Sequence, residues 1–388
     1  MLTSGIKFTG FKIKKKNFLL KKKLNQIIEE NNHIIRSLGK NYKNNFNKSN
    51  LKKYKNFLDY RIIGMGGSTL GTQAIYDFLN HKIDKNFYFI DNLNPGQKKK
   101  NNKKHINLIV SKSGNTIETI VNANILINKK DKNIFVTENK RNYLFLLAEQ
   151  LKAEIIHHND FIGGRYSVLS EVGMLPAELM GLNSNSFKQY NNLIKNKSFF
   201  NTLIANVTST IQYIKNKKFN SVIINYDEKS QNLFNWYQQL IAESLGKKSK
   251  GLLPIISLMP KDNHSVMQLY LDGFKNNFFT FFYVNENQSL KLNNKKILST
   301  QKFLKNKDLD KIIYAQKVAT ENIFKKKNIP FRSFEIKKRD EKTLGELFCF
   351  FILETILIGK ALNVNPYDQP AVELIKKETQ KLLVGNKR

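Results

Sequence analysis

Short apolar runs alternate with segments of helical spacing from Tyr60 onward. Runs of four to eight apolar residues bounded by turn signals are typical of buried strands, whereas a 3.6-residue apolar period predicts helices. Strands and helices that alternate along a chain indicate a parallel sheet with helices on both faces. In the first half this pattern predicts strands in RIIGMG, NFYFID, INLIVSKS and IFVTEN, and helices in LGTQAIYDFL, IETIVNANILI and YLFLLAEQL.

A second series of the same kind starts near Asn220. It predicts strands in SVIINY, LLPIISLMP, FFTFFYVN and IPFRSFEI, a helix in NLFNWYQQLIAESLG, a long apolar helix over about 344–362 and a final amphipathic helix in AVELIKKETQKLL. We therefore predict an α/β protein with two mostly parallel sheets flanked by helices. The expected organisation is a polar, partly helical arm over 1–55, a first domain over 56–200 and a second over 201–388, with a linker near 185–220.

The chain of 388 residues carries a formal net charge of +34, which has two interpretations. A basic surface is typical of proteins that bind nucleic acid or anionic membranes. Here, however, the lysines fall in runs such as GQKKKNNKK, without the interleaved aromatic residues of a stacking platform. We expect a solvated surface and neither nucleic acid nor membrane as partner, although the positive field favours a doubly negative substrate.

Cysteine usage and hydropathy predict a soluble, cytoplasmic protein. Cys349 is the single cysteine, which excludes an internal disulfide framework and fits a reducing compartment. It lies in the apolar run LFCFFIL, so we expect a packed thiol rather than a nucleophile. The N-terminus lacks the pattern of a signal peptide, and Glu354 and Lys360 interrupt the longest apolar stretch, over 347–362.

Two segments rich in glycine or hydroxyl groups follow predicted strands. GMGGSTLG, over 64–71, fits either a tight turn or a loop that admits an anion near a helix start. SKSGNTIET, over 111–119, places three hydroxyls beside a helix N-terminus, which suits a phosphate, although one of them could be only a helix cap. Because parallel sheets bind ligands outside the carboxyl ends of their strands, both segments are candidate phosphate sites.

Four further segments each carry one group able to handle charge or protons. Arg165 in GGRYS could form an ion pair or stabilise an oxyanion. Glu243 lies four residues after Gln239 on one helical face and could be a solvated carboxylate or a general base. His264 in NHSVMQLYLDG titrates near neutral pH if unperturbed, and Lys376 lies near the start of the last helix.

The six segments together, in this order and at these intervals over about 60–376, resemble the sugar isomerase family of phosphosugar-binding proteins. The resemblance implies two sugar isomerase (SIS) domains, each a three-layer αβα unit. It also implies reversible isomerisation of glucose 6-phosphate to fructose 6-phosphate through a cis-enediolate, a step of glycolysis and gluconeogenesis, without metal or organic cofactor. The expected assembly is a homodimer in which His264 comes from the partner subunit.

Carried onto this chain, the resemblance assigns Glu243 as the base between C1 and C2, Arg165 as the stabiliser of the enediolate, and His264 and Lys376 as the groups for ring opening. The remaining assigned residues bind the phosphate or position the sugar hydroxyls: Gly67, Ser68, Ser111, Lys112, Ser113, Thr116, Glu118, Gln239 and Gln369.

Three positions depart from the family pattern: Thr72 and Phe274 replace prolines, and Ala371 replaces a glycine. None of them is a proton-handling group, so the departures bear on substrate range and dimer contacts. Two alternatives stay open at this stage: an isomerase that also accepts mannose 6-phosphate, and a phosphosugar-binding regulator without catalysis.

Overall fold

A computed structural model describes residues 2–12, 17–96, 105–286 and 288–385. The strands in these ranges form two five-stranded sheets. Their bounds are β1 Ile6–Thr9, β2 Asp59–Gly64, β3 Asn86–Ile90, β4 Ile106–Val110, β5 Lys132–Glu138, β6 Glu154–His158, β7 Asn220–Asn225, β8 Leu253–Leu258, β9 Asn277–Val284 and β10 Phe331–Ile336.

Helices cover the sheets. In the described ranges they are α1 Phe18–Glu30, α2 His33–Ser37, α3 Leu70–Phe78, α4 Ile117–Leu126, α5 Tyr143–Leu151, α6 Glu171–Leu179, α7 Tyr190–Lys195, α8 Lys197–Lys215, α9 Gln231–Leu245, α10 Met267–Asp272, α11 Leu309–Lys326, α12 Glu341–Leu362 and α13 Val372–Gly385. Over the described residues, no helix combines the length and apolar character that a membrane crossing requires.

The two sheets repeat one strand order. The first runs β3-β2-β4-β5-β6 and is parallel throughout. The second runs β8-β7-β9-β10 with parallel pairing and is completed by β1, which pairs antiparallel with β10. In the first sheet β2 lies between β3 and β4, and in the second sheet β7 lies between β8 and β9. The order in which strands are added to each sheet therefore reverses direction at β2 and at β7. This reversal creates the crevice where ligands bind in such folds. The predicted α/β class with two mostly parallel sheets is confirmed.

The N-terminal segment is more structured than the sequence pattern indicated. We expected a partly helical arm over 1–55, and α1 and α2 lie there, but Ile6–Thr9 forms an edge strand of the second sheet. Most of the segment near 185–220, where we expected a linker, is helical in α7 and α8. Asn196, between these helices, caps α8 by accepting hydrogen bonds from its first turn.

Further elements were not predicted from the sequence, among them a strand and a long helix. The strand Glu154–His158 is short and half polar. The helix Leu309–Lys326 buries Lys317 and Glu321 together with Phe324, so its inner face lacks an apolar period. Lys317 instead donates to Glu335 at 2.6 Å and pairs with Glu321 at 3.0 Å. A buried face held by ion pairs cannot be recognised from hydropathy alone.

The helix α12 forms the centre of the core. Its residues from Thr343 to Gly359 are buried, and it packs against α1, α8 and α9. Cys349 is fully buried there, and burial raises the pKa of its thiol to about 12, as expected for a packed, unreactive side chain. The helices α3 and α9 also pack together, with Asn232 donating to Asp77 at 2.5 Å. This contact joins the first helix after β2 to the first helix after β7.

Candidate active site

The glycine loop after β2 reaches the rest of the site through close backbone approach. Gly66 has φ +52°, in the left-handed region that favours glycine. A Cβ at Gly67 would lie 2.1 Å from the carbonyl carbon of Gly164, so only glycine lets this loop pack against the GGRYS turn. A Cβ at Gly66 would lie 2.8 Å from Nε2 of Gln239. The loop therefore joins the first sheet to α9 and to the turn that carries Arg165. Ser68 is half-buried at its end.

The hydroxyl loop after β4 starts beside the glycine loop, because Gly64 and Val110 are register partners at the ends of their strands. Ser111 is buried, and its Oγ lies 2.9 Å from Oγ1 of Thr116. Ser113 is exposed and accepts a hydrogen bond from the Asn115 amide at 3.3 Å. The loop thus presents hydroxyls and free amide groups at the start of α4, where an anion is stabilised.

Backbone conformation and burial fix the hydroxyl loop. Gly114 has φ +63°, and a Cβ there would lie 1.8 Å from Oδ1 of Asn142, so no side chain fits. Lys112 is half-buried, and burial lowers the pKa of its ammonium group. Glu118 lies in the first turn of α4 and is half-exposed.

Arg165 is anchored on one edge of its guanidinium. The side chain is 1% exposed. Its Nε donates to Ser244 Oγ at 2.8 Å, and Nη2 donates to the carbonyls of Pro366 and Asp368 at 2.8 and 3.0 Å. The carbonyl of Arg165 accepts from the indole N–H of Trp236 at 3.1 Å. Ser244, Trp236 and the two carbonyls were not identified from the sequence, because fixing a guanidinium leaves no motif of its own.

The other edge of Arg165 faces the residues assigned to chemistry. Its Nη1 donates to Glu243 Oε2 at 3.2 Å and to Gln369 Oε1 at 2.7 Å. Glu243 Oε1 in turn accepts from Gln239 Nε2 at 3.0 Å. The Glu243 side chain is 30% exposed and Gln369 is exposed, so a ligand can reach this edge. The structure thus brings together a carboxylate, a guanidinium and two carboxamides next to Gly66.

His264 and Lys376 lie apart from this cluster within one chain. His264 ends the short turn Lys261–His264 and is exposed. Lys376 is exposed on α13 and pairs with Glu373 at 2.7 Å. In the described residues, neither side chain has a hydrogen bond or ion pair with Glu243 or Arg165. Among the described residues, one chain therefore brings Glu243 and Arg165 together but does not bring His264 and Lys376 to them.

The departures from the family pattern leave the cluster intact. Thr72 is buried in α3 and donates to the carbonyl of Val172 at 3.3 Å. Phe274 is 53% exposed after α10, and Ala371 is exposed before α13. Within the described ranges, no group of three or more His, Cys, Asp or Glu side chains is placed to hold a metal ion. The arrangement can bind an anion in the crevice and transfer a proton beside a fixed cation.

Comparison with known proteins gives consistent results. The family model described as phosphoglucose isomerase matches residues 25–386. Glucose-6-phosphate isomerase of Methanocaldococcus jannaschii is 32% identical over 360 residues, covering 86% of this chain and 87% of that protein.

Two solved structures share the fold. A hypothetical protein from Thermus thermophilus superposes with a TM-score of 0.82 at 21% identity, covering 94% of both chains. A glucose-6-phosphate isomerase from Chlamydia trachomatis superposes with a TM-score of 0.72 at 19% identity, covering 88% of this chain and 73% of that one. The family model matches nearly the whole chain, including the residues that form the crevice of hydroxyls, the carboxylate and the guanidinium. The chain therefore belongs to the phosphoglucose isomerase family.

Proposed function

We propose that this chain interconverts glucose 6-phosphate and fructose 6-phosphate, with Glu243 moving a proton between C1 and C2. The observation that carries the proposal is the Glu243 carboxylate held 3.2 Å from the Arg165 guanidinium beside the hydroxyl loop's crevice. The names of the relatives support the substrate and do not favour the regulator or the dual-specificity enzyme. The reaction belongs to glycolysis and gluconeogenesis.

The phosphate group occupies the loop over 111–116. Ser111, Ser113 and Thr116 offer hydroxyls, Lys112 adds a positive charge, and the start of α4 adds amide groups. Gly67 and Ser68, in the adjacent glycine loop, line the other side of the phosphate site. Binding energy from this remote group fixes the reacting carbons against the base.

Proton transfer takes place at the opposite end of the sugar. A C–H beside a carbonyl is a weak acid, so its removal needs an aligned carboxylate and a cation for the oxygen that becomes negative. Glu243 removes the proton from C2 and returns it to C1, while the Nη1 edge of Arg165 faces the enediolate oxygens. Gln239 orients the carboxylate, and Gln369 and Glu118 position sugar hydroxyls. In this scheme a sugar oxygen replaces Gln369 on Nη1.

Ring opening requires one proton to be added to the ring oxygen and another to be removed from the C1 hydroxyl. His264 and Lys376 are assigned to this step, with His264 supplied by a second subunit of a homodimer. The exposure of His264 supports that arrangement, since an exposed side chain is free to enter another subunit's crevice. Leu269 and Phe274, which follow it, are 41% and 53% exposed and give the surrounding surface apolar area to bury.

A coupled assay of fructose 6-phosphate conversion tests the reaction. Wild-type protein is expected to convert fructose 6-phosphate. The Glu243→Gln variant is expected to lower kcat by about 10²–10⁴-fold because an amide cannot accept the proton. Glu228→Gln, an exposed carboxylate just before α9, is the matched control and should leave kcat unchanged. Inactive wild-type protein, or a Glu243→Gln variant that keeps most of its activity, would contradict the proposal.

Mixing inactive variants tests the origin of His264. Glu243→Gln and His264→Ala homodimers, unfolded and refolded together, should regain about a quarter of wild-type activity, because half of the dimers are mixed and one of their two sites is intact. The control is the double variant refolded with itself, which should stay inactive. Absence of recovery in the mixture would place His264 in its own subunit's site or outside catalysis.

We further propose the domain division over 56–200 and 201–388, supported by the two sheets, with the arm over 1–55 joining both. Its strand β1 extends the second sheet, whereas Tyr42 donates to Glu171 in the first half at 2.8 Å. A cytoplasmic location is proposed as well, supported by the single, buried Cys349. Cell fractionation with an antibody against the chain would test it.

A further inference from the structure

His158 is a buried histidine that the proposed chemistry does not use. It ends β6, seven residues before Arg165, and is 2% exposed. Its Nε2 lies 3.0 Å from the carbonyl oxygen of Ile162, and its Nδ1 lies 3.2 Å from Oε2 of Glu171. The ring therefore bridges the loop before Arg165 to the first turn of α6, the helix after it.

Both neighbours of the ring are acceptors. A carbonyl oxygen can only accept, so Nε2 of His158 carries a hydrogen. An ionised carboxylate also only accepts, so Nδ1 carries a second hydrogen when Glu171 is charged, and the ring is then an imidazolium. Beside an ionised Glu171, a neutral ring with one hydrogen would satisfy only one of these two contacts in a site closed to water.

The surroundings of Glu171 favour its ionised form. Its Oε1 accepts from the Tyr42 hydroxyl at 2.8 Å and from the Asn45 amide at 3.2 Å. It also lies in the first turn of α6, where the helix dipole stabilises negative charge.

Lys188 is a second buried basic residue near the pair of His158 and Glu171. Lys188 is 1% exposed, donates to the carbonyls of Ser37 and Leu169, and lies over the ring of Tyr42. Burial lowers the pKa of Lys188 to about 7. Other titratable groups on the surrounding elements are His33, His157, Asp160, Lys140 and Cys349.

The loop from Asn159 to Gly163 has a second attachment, to α2. Nδ2 of Asn159 lies 3.1 Å from Nδ1 of His33, and the ring of Phe161 stacks on His33 with centroids 4.6 Å apart. Phe161 is 70% exposed, so this contact is at the surface and weaker than the buried His158 contact. The buried ring is thus the inner support of the loop.

We propose that His158 is a positioning residue: its imidazolium joins the Glu171 carboxylate to the Ile162 carbonyl and thereby fixes the loop that presents Arg165 to Glu243. The proposal rests on the proposed function, since its kinetic effect is on the isomerisation. It adds a role to a residue that contacts neither the substrate crevice nor Glu243. Misplacement of Arg165 lowers kcat, whereas the phosphate loop, on a different strand, keeps substrate affinity.

NMR of protein labelled with ¹⁵N-histidine tests the protonation state without any change to the fold. At neutral pH the His158 signal should show both ring nitrogens protonated, whereas a solvent-exposed ring such as His81, whose pKa is lowered by partial burial and by the charge of Arg339, should show one proton exchanging between its two nitrogens. His158→Gln and His157→Gln spectra assign the two adjacent signals. A neutral His158 ring in the wild-type protein would overturn the proposal.

Kinetics test the positioning role. His158→Phe keeps the ring volume but removes both donors, so kcat should fall by about 10- to 10²-fold, the scale of a misplacement near 1 Å, while KM stays within about twofold. His158→Gln keeps one amide donor and should recover part of the loss. His157→Phe, the neighbouring side chain that stacks on Phe145, is the matched control and should keep wild-type kcat.

The outcomes separate the two proposals. A wild-type kcat in the His158→Phe variant would overturn the positioning role. So would a rise in KM of about 10- to 10²-fold with kcat unchanged. If His158→Phe does not fold, the Gln variant and the wild-type NMR spectrum still decide. Wild-type protein without isomerase activity would overturn the proposed function but leave the NMR result on the imidazolium unaffected.

Discussion

The crevices at the carboxyl ends of the two sheets share one strand order but carry opposite chemistry. The first, between β2 and β4, is lined by glycines, hydroxyls and Lys112, and an anion finds donors there. The second, between β7 and β9, is lined by Asp227, Glu228 and Glu286. The strand order alone therefore creates two possible binding sites, and the loop residues decide which one can accept a phosphate.

Two carboxylates of the second crevice, Asp227 and Glu286, are held in ion pairs with Arg339. Arg339 donates to Asp227 at 2.7 and 3.2 Å and to Glu286 at 2.6 Å. The Ser230 hydroxyl also donates to Asp227, and the Arg339 guanidinium lies over the ring of Phe78 on α3. The contact between Arg339 and Phe78 joins the second half to the first. The second half instead reaches the first crevice through α9, which brings Gln239 to Gly66 and Glu243 to Arg165.

Breaking the ion pairs of the second crevice should have the largest effect, and it should be on stability. Arg339→Met leaves the buried Asp227 carboxylate without its partner, so the free energy of unfolding should fall by about 3–5 kcal/mol. Urea unfolding measures the loss, and adding Asp227→Asn should restore part of it. Where the variant stays folded, KM for fructose 6-phosphate should not change. A tenfold rise in KM would show that the second crevice binds substrate.

Arg165→Lys tests the first crevice next. An ammonium group cannot span Ser244, two carbonyls and the Nη1 partners, so transition-state stabilisation should fall by about 3–4 kcal/mol, or 10²–10³-fold in kcat. Steady-state kinetics measure it, and Arg36→Lys, an exposed arginine on α2, is the control. Unchanged kcat would exclude Arg165 from the chemistry.

Paired serine variants compare the two loops directly. Ser111→Ala removes a hydroxyl from the first crevice, and since hydrogen bonds to charged groups contribute about 1.5–3 kcal/mol, KM should rise by roughly 10- to 10²-fold. Ser230→Ala, the corresponding loop serine of the second crevice, should leave KM unchanged and lower stability only. Equal KM effects in the two variants would contradict the assignment of the phosphate to the first loop.

The smallest expected effect is the pH dependence that Glu286 contributes. Burial would raise its pKa, but the charge of Arg339 and its hydrogen bond lower it, so the folded pKa lies below the unfolded one. Its stabilisation is therefore present above the ordinary carboxyl pKa and is lost as pH falls through the folded value. Because the side chain is 39% exposed, Glu286→Gln should cost less than about 1 kcal/mol at neutral pH. Thermal unfolding against pH should show the two proteins converging in acid, and parallel curves would contradict this.

Apolar patterning alone determined the class of this fold. Runs such as INLIV and SVIIN form buried strands because most of their side chains are apolar and are stabilised by leaving water. Helical spacing of apolar residues predicted α3, α9 and α12. The strand Ile6–Thr9 was not predictable, since four residues pair only because β10 offers an edge 330 residues later. Polar helices such as α11 also escaped, because their buried face is stabilised by ion pairs that form only in the fold.

For the site, the sequence determined the groups, and the tertiary structure decided which of them meet. The family resemblance of the ordered motifs predicted roles for Arg165, Glu243 and the hydroxyl loop, because the chemistry of each lies in its own side chain. Their contact depends on α9 of the second half packing on α3 of the first, which brings Gln239 to Gly66 and Glu243 to Arg165. The support from His158, Glu171 and Ser244 is likewise decided by tertiary packing, since burial turns ordinary polar residues into fixed hydrogen-bond partners.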